Sequence, residues 1–330
     1  MPYVDRFTIS VDIGATNIRV ALTDGARLID KIMEPTVRLR DSLDLAMQVI
    51  RLSRIIIGKH RVEGIAAIGI ATIGPMDMRT GELFNVANLA METRIDRIPL
   101  KKPIEDEFDT PVFMINDASA AALAEHMFGI GVGLANLVYI TLSTGIGGGV
   151  IVDNKLIKGK DGNAHEVGHI VVDIEERLIC GCGGRGHWEA YCSGSGIPKY
   201  TRLIAESEKD LWSSSLLYQE TGGCLDRVTS KHVYDLARRG DRFSMKIVES
   251  VGRINAMGFA SVINVYDPEL ITVGGSIAFY NPDLTLPYIE RWVGRYTVNR
   301  VPRITITPLG ADIGLYGGMA AAVKGLKGEI

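Results

Sequence analysis

Several features that define other protein classes are scarce or absent in this sequence. It contains four cysteines in 330 residues, too few and too clustered for a disulfide framework, so a reducing cytoplasm is expected. No apolar run approaches the length that spans a bilayer, and the N-terminal MPYVDRFTISVDIG lacks the pattern of a signal peptide. The formal net charge of −3 favours neither nucleic acid nor an anionic membrane as a partner. The remaining composition is ordinary for a soluble enzyme, and the length allows two domains.

The densest group of chemically reactive side chains lies between residues 163 and 193. Cys180 and Cys182 form a C-x-C pair, with His169 upstream and His187 downstream. Thiolates and imidazoles are preferred zinc ligands, and four of them complete a tetrahedral structural site. The alternative is that the cysteines are small buried apolar residues. The spacing and the interleaved glycines favour zinc bound by these four residues. The acids Glu166 and Glu189 would lie close to the metal without binding it.

A short glycine turn near the N-terminus separates two predicted strands, residues 7–13 and 18–23. This turn carries Asp12, Gly14, Thr16 and Asn17. An ordinary β-hairpin explains the pattern. A functional alternative is a phosphate site, in which backbone N–H groups and the threonine hydroxyl contact the phosphate and Asp12 orients Mg²⁺.

A second turn of the same kind follows the predicted strand 137–142. It runs from Ser143 to Gly149, includes Thr144 and Gly145, and precedes a predicted strand at 150–152. No Gly-Lys-Ser/Thr follows, so it is not a Walker A loop, and the strand after it excludes a dinucleotide fingerprint. The repeated strand–turn–strand element predicts two related halves that each offer one phosphate-binding hairpin.

Two further sites follow predicted strands. Asn116 and Asp117 lie between the strand 111–115 and a strong helix former, the edge at which α/β sheets bind ligands. Asp117 is explained either as a helix N-cap or as an ionised carboxylate ready to accept a proton. Gly274 and Gly275 follow the strand 270–273, where a flat or anionic group can approach the backbone.

Taken in order, these motifs resemble the ROK family (repressor, open reading frame, kinase) of the actin-like, hexokinase-like ATPase superfamily. The motifs are D12-I-G-A-T16, N116-D117, S143-T-G-I-G-G-G149, E166-x-G-H169, C180-G-C182-G-G-R-G-H187-W-E189 and G274-G275. The resemblance extends from about residue 8 to about residue 325 and implies an α/β fold of two ribonuclease-H-like lobes with a cleft between them. We expect residues 1–117 to form the small lobe, completed by the C-terminal helix 312–330. Residues 118–311 would form the large lobe with the zinc knuckle.

The resemblance also implies ATP-dependent phosphorylation of a hexose at its 6-hydroxyl, with Mg²⁺ as the catalytic metal and Zn²⁺ as a structural one. Asp117 would be the base. The sugar would contact Gly74, Asn88, Asn116, Asp117, Glu166, His169 and Glu189. The nucleotide would contact Asp12, Gly14, Thr16, Asn17, Thr144, Gly145, Gly274 and Gly275. The zinc ligands would be His169, Cys180, Cys182 and His187.

This sequence departs from the family pattern at two positions. His187 replaces the third cysteine of the usual three-cysteine, one-histidine zinc site, and Cys192 is a less favoured substitute ligand. Ile73 replaces the proline that usually precedes Gly74, which leaves the shape of the sugar loop open.

We expect a phosphotransferase of carbohydrate metabolism, most simply a glucokinase of glycolysis. Kinases of N-acetylmannosamine or N-acetylglucosamine are one alternative, and a non-catalytic sugar-sensing protein is another. The first phosphate turn begins at residue 12, leaving no room before it for the DNA-binding domain of family repressors. The expected partners are a sugar and a nucleotide, with no nucleic acid or membrane, and family habit suggests a homodimer or homotetramer.

Overall fold

The structure is a computed structural model that describes residues 7–86, 89, 92 and 95–330. The strands in these residues are β1 (Thr8–Ile13), β2 (Asn17–Thr23), β3 (Leu28–Pro35), β4 (Ile68–Thr72), β5 (Met76–Asp77), β6 (Glu82–Phe84), β7 (Arg97–Pro99), β8 (Val112–Asn116), β9 (Leu137–Leu142), β10 (Ile146–Val152), β11 (Lys155–Leu156), β12 (Leu270–Gly274) and β13 (Arg303–Ile306). The α-helices are α1 (Asp44–His60), α2 (Lys101–Phe108), α3 (Asp117–Phe128), α4 (Glu189–Cys192), α5 (Gly196–Ser207), α6 (Lys209–Ser213), α7 (Leu216–Thr221), α8 (Ser230–Arg238), α9 (Arg242–Tyr266), α10 (Ser276–Tyr280), α11 (Pro282–Val293) and α12 (Ile313–Leu326).

The chain forms two compact units. Unit 1 contains the described residues up to Gly133, together with Leu156–Ala164 and Pro308–Ile330. Unit 2 contains Leu134–Lys155 and His165–Thr307. Helix α3 and the segment Leu156–Ala164 therefore belong to unit 1, whereas the sequence-based division after residue 117 assigned them to the large lobe. That division into two lobes stays a prediction.

Unit 1 is built on a mixed sheet whose described strands have the order β3-β2-β1-β4-β8. β1 pairs antiparallel with β2 and parallel with β4, which pairs parallel with β8. Helix α1 buries Leu45, Val49, Leu52 and Ile56, a helical spacing that forms one apolar face. Helix α12 packs directly on the backbone of the sheet. A Cβ placed on Gly69 of β4 would lie only 1.9 Å from the carbonyl oxygen of Gly318 in α12. Only glycine permits this approach of helix to strand.

Unit 2 repeats the same strand plan. The order of its described strands is β11-β10-β9-β12-β13. β9 pairs antiparallel with β10 and parallel with β12, which pairs parallel with β13. Each unit thus contains a glycine hairpin, β1–β2 or β9–β10, followed along the sheet by parallel strands. This shared plan agrees with the internal repeat that the sequence indicates.

The elements differ from the sequence-based expectations in three places. Strand β10 begins at Ile146, so the second turn is Ser143–Gly145 and not the longer glycine segment 143–149. The continuous apolar run at residues 64–71 predicts a strand from Gly64, but strand β4 begins only at Ile68. Helix α10 follows Gly275 directly and was not predicted. Among the described helices, none combines the length and apolar character that crossing a bilayer requires.

Candidate functional site

The first glycine turn is closed by backbone hydrogen bonds. The Gly14 N–H donates to the Asn17 carbonyl at 3.0 Å, and the Thr36 hydroxyl donates to the Gly14 carbonyl at 2.7 Å. Thr16 at the tip is exposed. The turn therefore has a fixed backbone and an accessible hydroxyl, which suits contact with an anion.

Asp12 lies at the end of β1 beside this turn. Arg19 donates to its Oδ2 at 3.0 Å, and Gly314 of α12 packs so closely that a Cβ there would lie 2.4 Å from the Asp12 Cγ. Burial raises the pKa of Asp12 to about 6, although Arg19 acts in the opposite direction. Because burial disfavours the ionised carboxylate, a nearby cation would stabilise it. Asp12 therefore fits a role in orienting Mg²⁺.

Asn116 and Asp117 lie where β8 runs into α3. The Asn116 side chain accepts from the Ala118 N–H at 3.0 Å and the Ser119 N–H at 3.4 Å. Asn116 is therefore the N-cap, and the explanation of Asp117 as the N-cap is wrong. Asp117 is the first helical residue, and its Oδ1 accepts from the Ala118 N–H at 2.8 Å. Its position in the first helical turn favours negative charge.

Gly74 lies near this helix start, because a Cβ on it would be 3.7 Å from the Asn116 side-chain nitrogen. The Gly74–Pro75 peptide bond is cis. Unit 1 thus brings Gly74 and Asn116, two of the predicted sugar contacts, close together. The predicted contact Asn88 lies outside the described residues.

In unit 2, the glycine pair lies beside the second turn. Gly275 has φ of +88°, and a Cβ there would lie 2.4 Å from the Leu142 carbonyl oxygen at the end of β9. The Ser276 hydroxyl is 3.2 Å from that of Ser143. The turn Ser143–Gly145 and the pair Gly274–Gly275 therefore form one surface, on which Thr144 is exposed.

The four predicted zinc ligands also come together in unit 2. The ligand atoms of His169, Cys180, Cys182 and His187 all lie within 4.8 Å of one another. His169 Nδ1 is 3.9 Å from the Cys180 sulfur and 3.7 Å from that of Cys182, which is 3.3 Å from His187 Nδ1. Ligand separations of about 3.3–3.8 Å match tetrahedral zinc with nitrogen and sulfur donors.

The electrostatics of this cluster fit a cation. Burial, together with the charge of Glu189, raises the pKa of the Cys180 thiol to about 12, so thiolate formation needs a positive partner. Cys192 is separate from the cluster: it is buried, and its sulfur contacts the Val251 carbonyl at 3.5 Å. The geometry therefore favours His187 over Cys192 as the fourth ligand.

Glu166 and Glu189 flank this cluster with different partners. Glu166 is exposed, and its carboxylate lies 3.4 Å from His169 Nε2. One carboxylate oxygen of Glu189 accepts from the Ile146 N–H at 2.8 Å, and the other accepts from the Cys180 thiol at 3.4 Å. Glu189 therefore joins the cysteine–histidine cluster to the turn Ser143–Gly145, a connection that the sequence does not reveal.

Sequence reasoning also missed a support for the cluster. Asp173 accepts hydrogen bonds from Arg177 and from the Tyr191 hydroxyl, which itself accepts from the Leu178 N–H at 3.1 Å. Although burial opposes it, these bonds lower the pKa of Asp173 to about 2. Residues 173–177 are not helical, so the i,i+4 rule for helix faces gives no signal for the Asp173–Arg177 pair, and nothing in the sequence indicated that Tyr191 joins it.

The predicted residues divide between the two units. Asp12, Gly14, Thr16, Asn17, Gly74, Asn116 and Asp117 lie in unit 1. Thr144, Gly145, Glu166, His169, Cys180, Cys182, His187, Glu189, Gly274 and Gly275 lie in unit 2. Each unit carries one glycine turn and part of the predicted sugar contacts.

Comparison with known proteins identifies the family. The ROK family matches residues 8–325. A glucokinase of Aeropyrum pernix is 35% identical over 321 residues, covering 96% of each chain. The structure is similar to a ROK hexokinase of Thermus thermophilus (TM-score 0.82, 28% identity, 98% and 99% of the two chains). It is also similar to a ROK glucokinase of Streptomyces griseus in complex with glucose and AMPPNP (TM-score 0.73, 30% identity, 96% and 99%). The prediction of an α/β protein with the actin-like ATPase fold is confirmed, and the chain belongs to the ROK family.

Proposed function

We propose that this protein is a glucokinase that transfers the γ-phosphoryl group of ATP to the 6-hydroxyl of glucose. The observation that carries the proposal is similarity over nearly the whole chain to curated glucokinases. The paired glycine turns and the Asn116–Asp117 helix start would supply the phosphate contacts and the base that this reaction needs. The enzyme is a sugar kinase, a phosphotransferase with an alcohol acceptor.

In the proposed reaction, the oxygen of the sugar 6-hydroxyl forms a bond to the γ-phosphorus, and the bond from that phosphorus to the β,γ-bridging oxygen breaks. Asp117 accepts the hydroxyl proton, and ADP leaves. Such transfer depends mainly on alignment and charge neutralisation. The hydrogen bond from the Ala118 N–H to Asp117 Oδ1 orients the carboxylate that would accept the proton.

Each of the two glycine turns would contact the phosphates of the nucleotide. Gly14, Thr16 and Asn17 would contact phosphate from unit 1, and Thr144 and Gly145 from unit 2. Gly274 and Gly275 would lie against the adenosine, where the absence of side chains leaves the backbone accessible. Mg²⁺ would neutralise phosphate charge, and Asp12 would orient it through its buried carboxylate.

The cysteine–histidine cluster would bind structural Zn²⁺ through His169, Cys180, Cys182 and His187. Zinc supplies a rigid tetrahedral crosslink to these loops. With Nδ1 of His169 directed at the sulfurs, its Nε2 faces Glu166, so both side chains are oriented together. Glu166, His169 and Glu189 would then contact sugar hydroxyls, together with Asn116, Gly74 and Asn88.

The proposal extends to the compartment and the oligomeric state of the enzyme. All four cysteines are free thiols, as is typical of a reducing compartment, so we propose that it acts in the cytoplasm. A homodimer or homotetramer is proposed from family habit. Light scattering of the purified protein tests the oligomeric state, and a monomer would contradict it.

The activity is tested by ADP release with glucose, N-acetylmannosamine and N-acetylglucosamine at equal concentrations, followed by identification of the phosphorylated position. We expect the highest kcat/KM for glucose. Asp117→Asn should lower kcat by about 10²–10⁴-fold, the usual contribution of a general base, and leave ATP binding nearly unchanged. Asp109→Asn, an exposed residue at the end of α2, is the matched control. A preference for an N-acetylhexosamine, or full activity of Asp117→Asn, would contradict the proposal.

A further inference from the structure

A cavity of about 120 Å³ lies in unit 1 beside β8. The whole of β8 contributes to its lining. In the described sheet of unit 1, β8 pairs only with β4 and is an edge strand. Its outer edge therefore presents backbone N–H and C=O groups toward a space that is large enough for more than water.

The chemistry of the lining selects a class of ligand. Apolar side chains such as Met78, Phe113 and Leu156 form much of the wall, and Lys101 and Lys158 also contribute to it. Among the described lining residues there is no aspartate or glutamate, and the one carboxylate among them in this structure is the terminal one of Ile330. The lining thus combines an apolar surface with two ammonium groups against one carboxylate.

Lys158 is the most informative of these residues. It is half-buried, and within the described part of the chain no ion pair or side-chain hydrogen bond involves its ammonium group. Lys101 is only loosely paired, with its Nζ 3.9 Å from Glu105, whose carboxylate also accepts from the Val112 N–H. A partly desolvated ammonium group without a counter-charge is unfavourable, so an anion in the cavity would be stabilised by both lysines.

We propose that this cavity binds a small organic anion with an apolar body, a carboxylate of roughly the size of benzoate. A closed cavity of about 150 Å³ is known to hold benzene. The cavity here is smaller but partly open, so a compact ring or a short branched chain would enter it in part. The apolar body would lie against Phe113 and Met78, and the carboxylate would pair with Lys158. This ligand is distinct from the sugar and nucleotide of the proposed kinase reaction.

The position of the cavity gives the ligand a route to the kinase reaction. Asn116 and Ser119 line it, and these are the cap residue and a capped residue of α3. Asp117 lies between them. A ligand in the cavity would therefore change the mobility of the end of β8 and the start of α3, which hold Asp117. The kcat of the kinase reaction would change as a result. The carboxylate would be an effector, not a substrate.

The binding test uses benzoate as the probe and benzamide as a neutral analogue of similar shape, by calorimetry and ligand-observed NMR on the full chain without ATP or sugar. We expect benzoate to bind and benzamide to bind at least about tenfold more weakly, the loss expected from one charge-assisted contact. Lys158→Met should weaken benzoate by about tenfold. The matched control Lys160→Met removes a nearby exposed lysine that pairs with Asp161 and should bind as the parent protein does.

Three further measurements complete the test. Lys101→Met provides a second variant that should weaken benzoate, should Lys158→Met fail to fold. Saturating glucose should change the Kd for benzoate by no more than about twofold. This change is smaller than the roughly tenfold change expected when the charged contact is lost. Saturating benzoate should change kcat of the parent enzyme and not that of Lys158→Met. Equal binding of benzoate and benzamide, unchanged affinity in the lysine variants, competition by glucose, or an unchanged kcat would each overturn the proposal.

These results separate this proposal from that of the kinase. Benzoate binding that depends on Lys158 in a protein without glucokinase activity would support the cavity assignment and contradict the proposed function. Full glucokinase activity without benzoate binding would support the proposed function and contradict the cavity assignment.

Discussion

Replacing Glu189 by alanine should weaken nucleotide binding even when no sugar is present. Its carboxylate accepts from the Ile146 N–H at 2.8 Å across 43 residues of sequence, and Ile146 is buried. The alanine variant leaves this N–H without its partner at the base of the turn that carries Thr144 and Gly145. A residue that contacted only the sugar would have no such effect.

The magnitude follows from the unpaired group. Leaving a buried N–H unsatisfied costs about 1–3 kcal/mol, so we expect the free energy of unfolding of Glu189→Ala to fall by about that amount. If distortion of the turn recovers about half of this cost, about 0.5–1.5 kcal/mol, nucleotide affinity should fall by about 2- to 13-fold. Glu189→Gln keeps an oxygen acceptor but loses the charge, so both effects should be about half as large.

The assay is a titration with a fluorescent ATP analogue in the absence of glucose, with urea unfolding measured in parallel. Glu166→Ala is the control, because Glu166 is exposed and its carboxylate pairs with His169. Both variants should raise the KM for glucose, but only Glu189→Ala should raise the Kd for the nucleotide. Wild-type nucleotide affinity in Glu189→Ala would refute the reasoning and leave Glu189 as a sugar contact alone.

Three other perturbations have defined outcomes. Asp12→Asn should abolish Mg²⁺-dependent ATP binding and yet stabilise the protein at pH 7.5 by up to about 3 kcal/mol. Because the folded pKa of about 6 lies above the ordinary aspartate pKa of 3.8, this difference in urea unfolding should disappear as the pH falls below 4. Asp173→Asn should do the opposite and lower the free energy of unfolding by about 2 kcal/mol at pH 7. Its folded pKa of about 2 lies below 3.8, so the Asp173 contribution is present above pH 4 and is lost as the pH approaches 2; a constant difference across that range would contradict the assignment. His187→Cys should retain one zinc per chain by elemental analysis, and His187→Ala should lose it, whereas retention in His187→Ala would exclude His187 as a ligand.

The sequence predicted those features that local patterns encode. Strand β9 has the predicted bounds 137–142, because the polar residues Asn136 and Ser143 flank its apolar run. The two glycine hairpins were also predicted from local pattern, and the grouping of His169, Cys180, Cys182 and His187 was predicted from ligand type and spacing. In each case the decisive interactions lie within a few residues or follow from a fixed chemical preference.

The features that the sequence did not predict depend on partners distant in the chain. The start of β10 was placed late because glycines weaken strand propensity, yet Gly148 packs so closely on Val167 that a Cβ on the glycine would lie 2.8 Å from that side chain. Tertiary contact, and not propensity, extends this strand. The N-cap of α3 was assigned one residue late, because Asn116 and Asp117 are both good caps and the choice depends on where β8 ends.

The short helix α4 connects the cysteine–histidine cluster to Glu189. It has four residues and no side-chain cap, so its own hydrogen bonds cannot hold it. Instead, Trp188 is fully buried, donates to Asn255 at 2.7 Å and packs on the α9 backbone, while Tyr191 bonds Asp173. These two anchors do not use the metal, so the helix should remain attached to the core when the zinc is absent. His187 precedes the helix and is tied to it by a backbone hydrogen bond at 3.0 Å, so the metal would set the direction of Glu189 more than the stability of the unit. Loss of zinc in His187→Ala should therefore weaken sugar and nucleotide binding before it unfolds the protein.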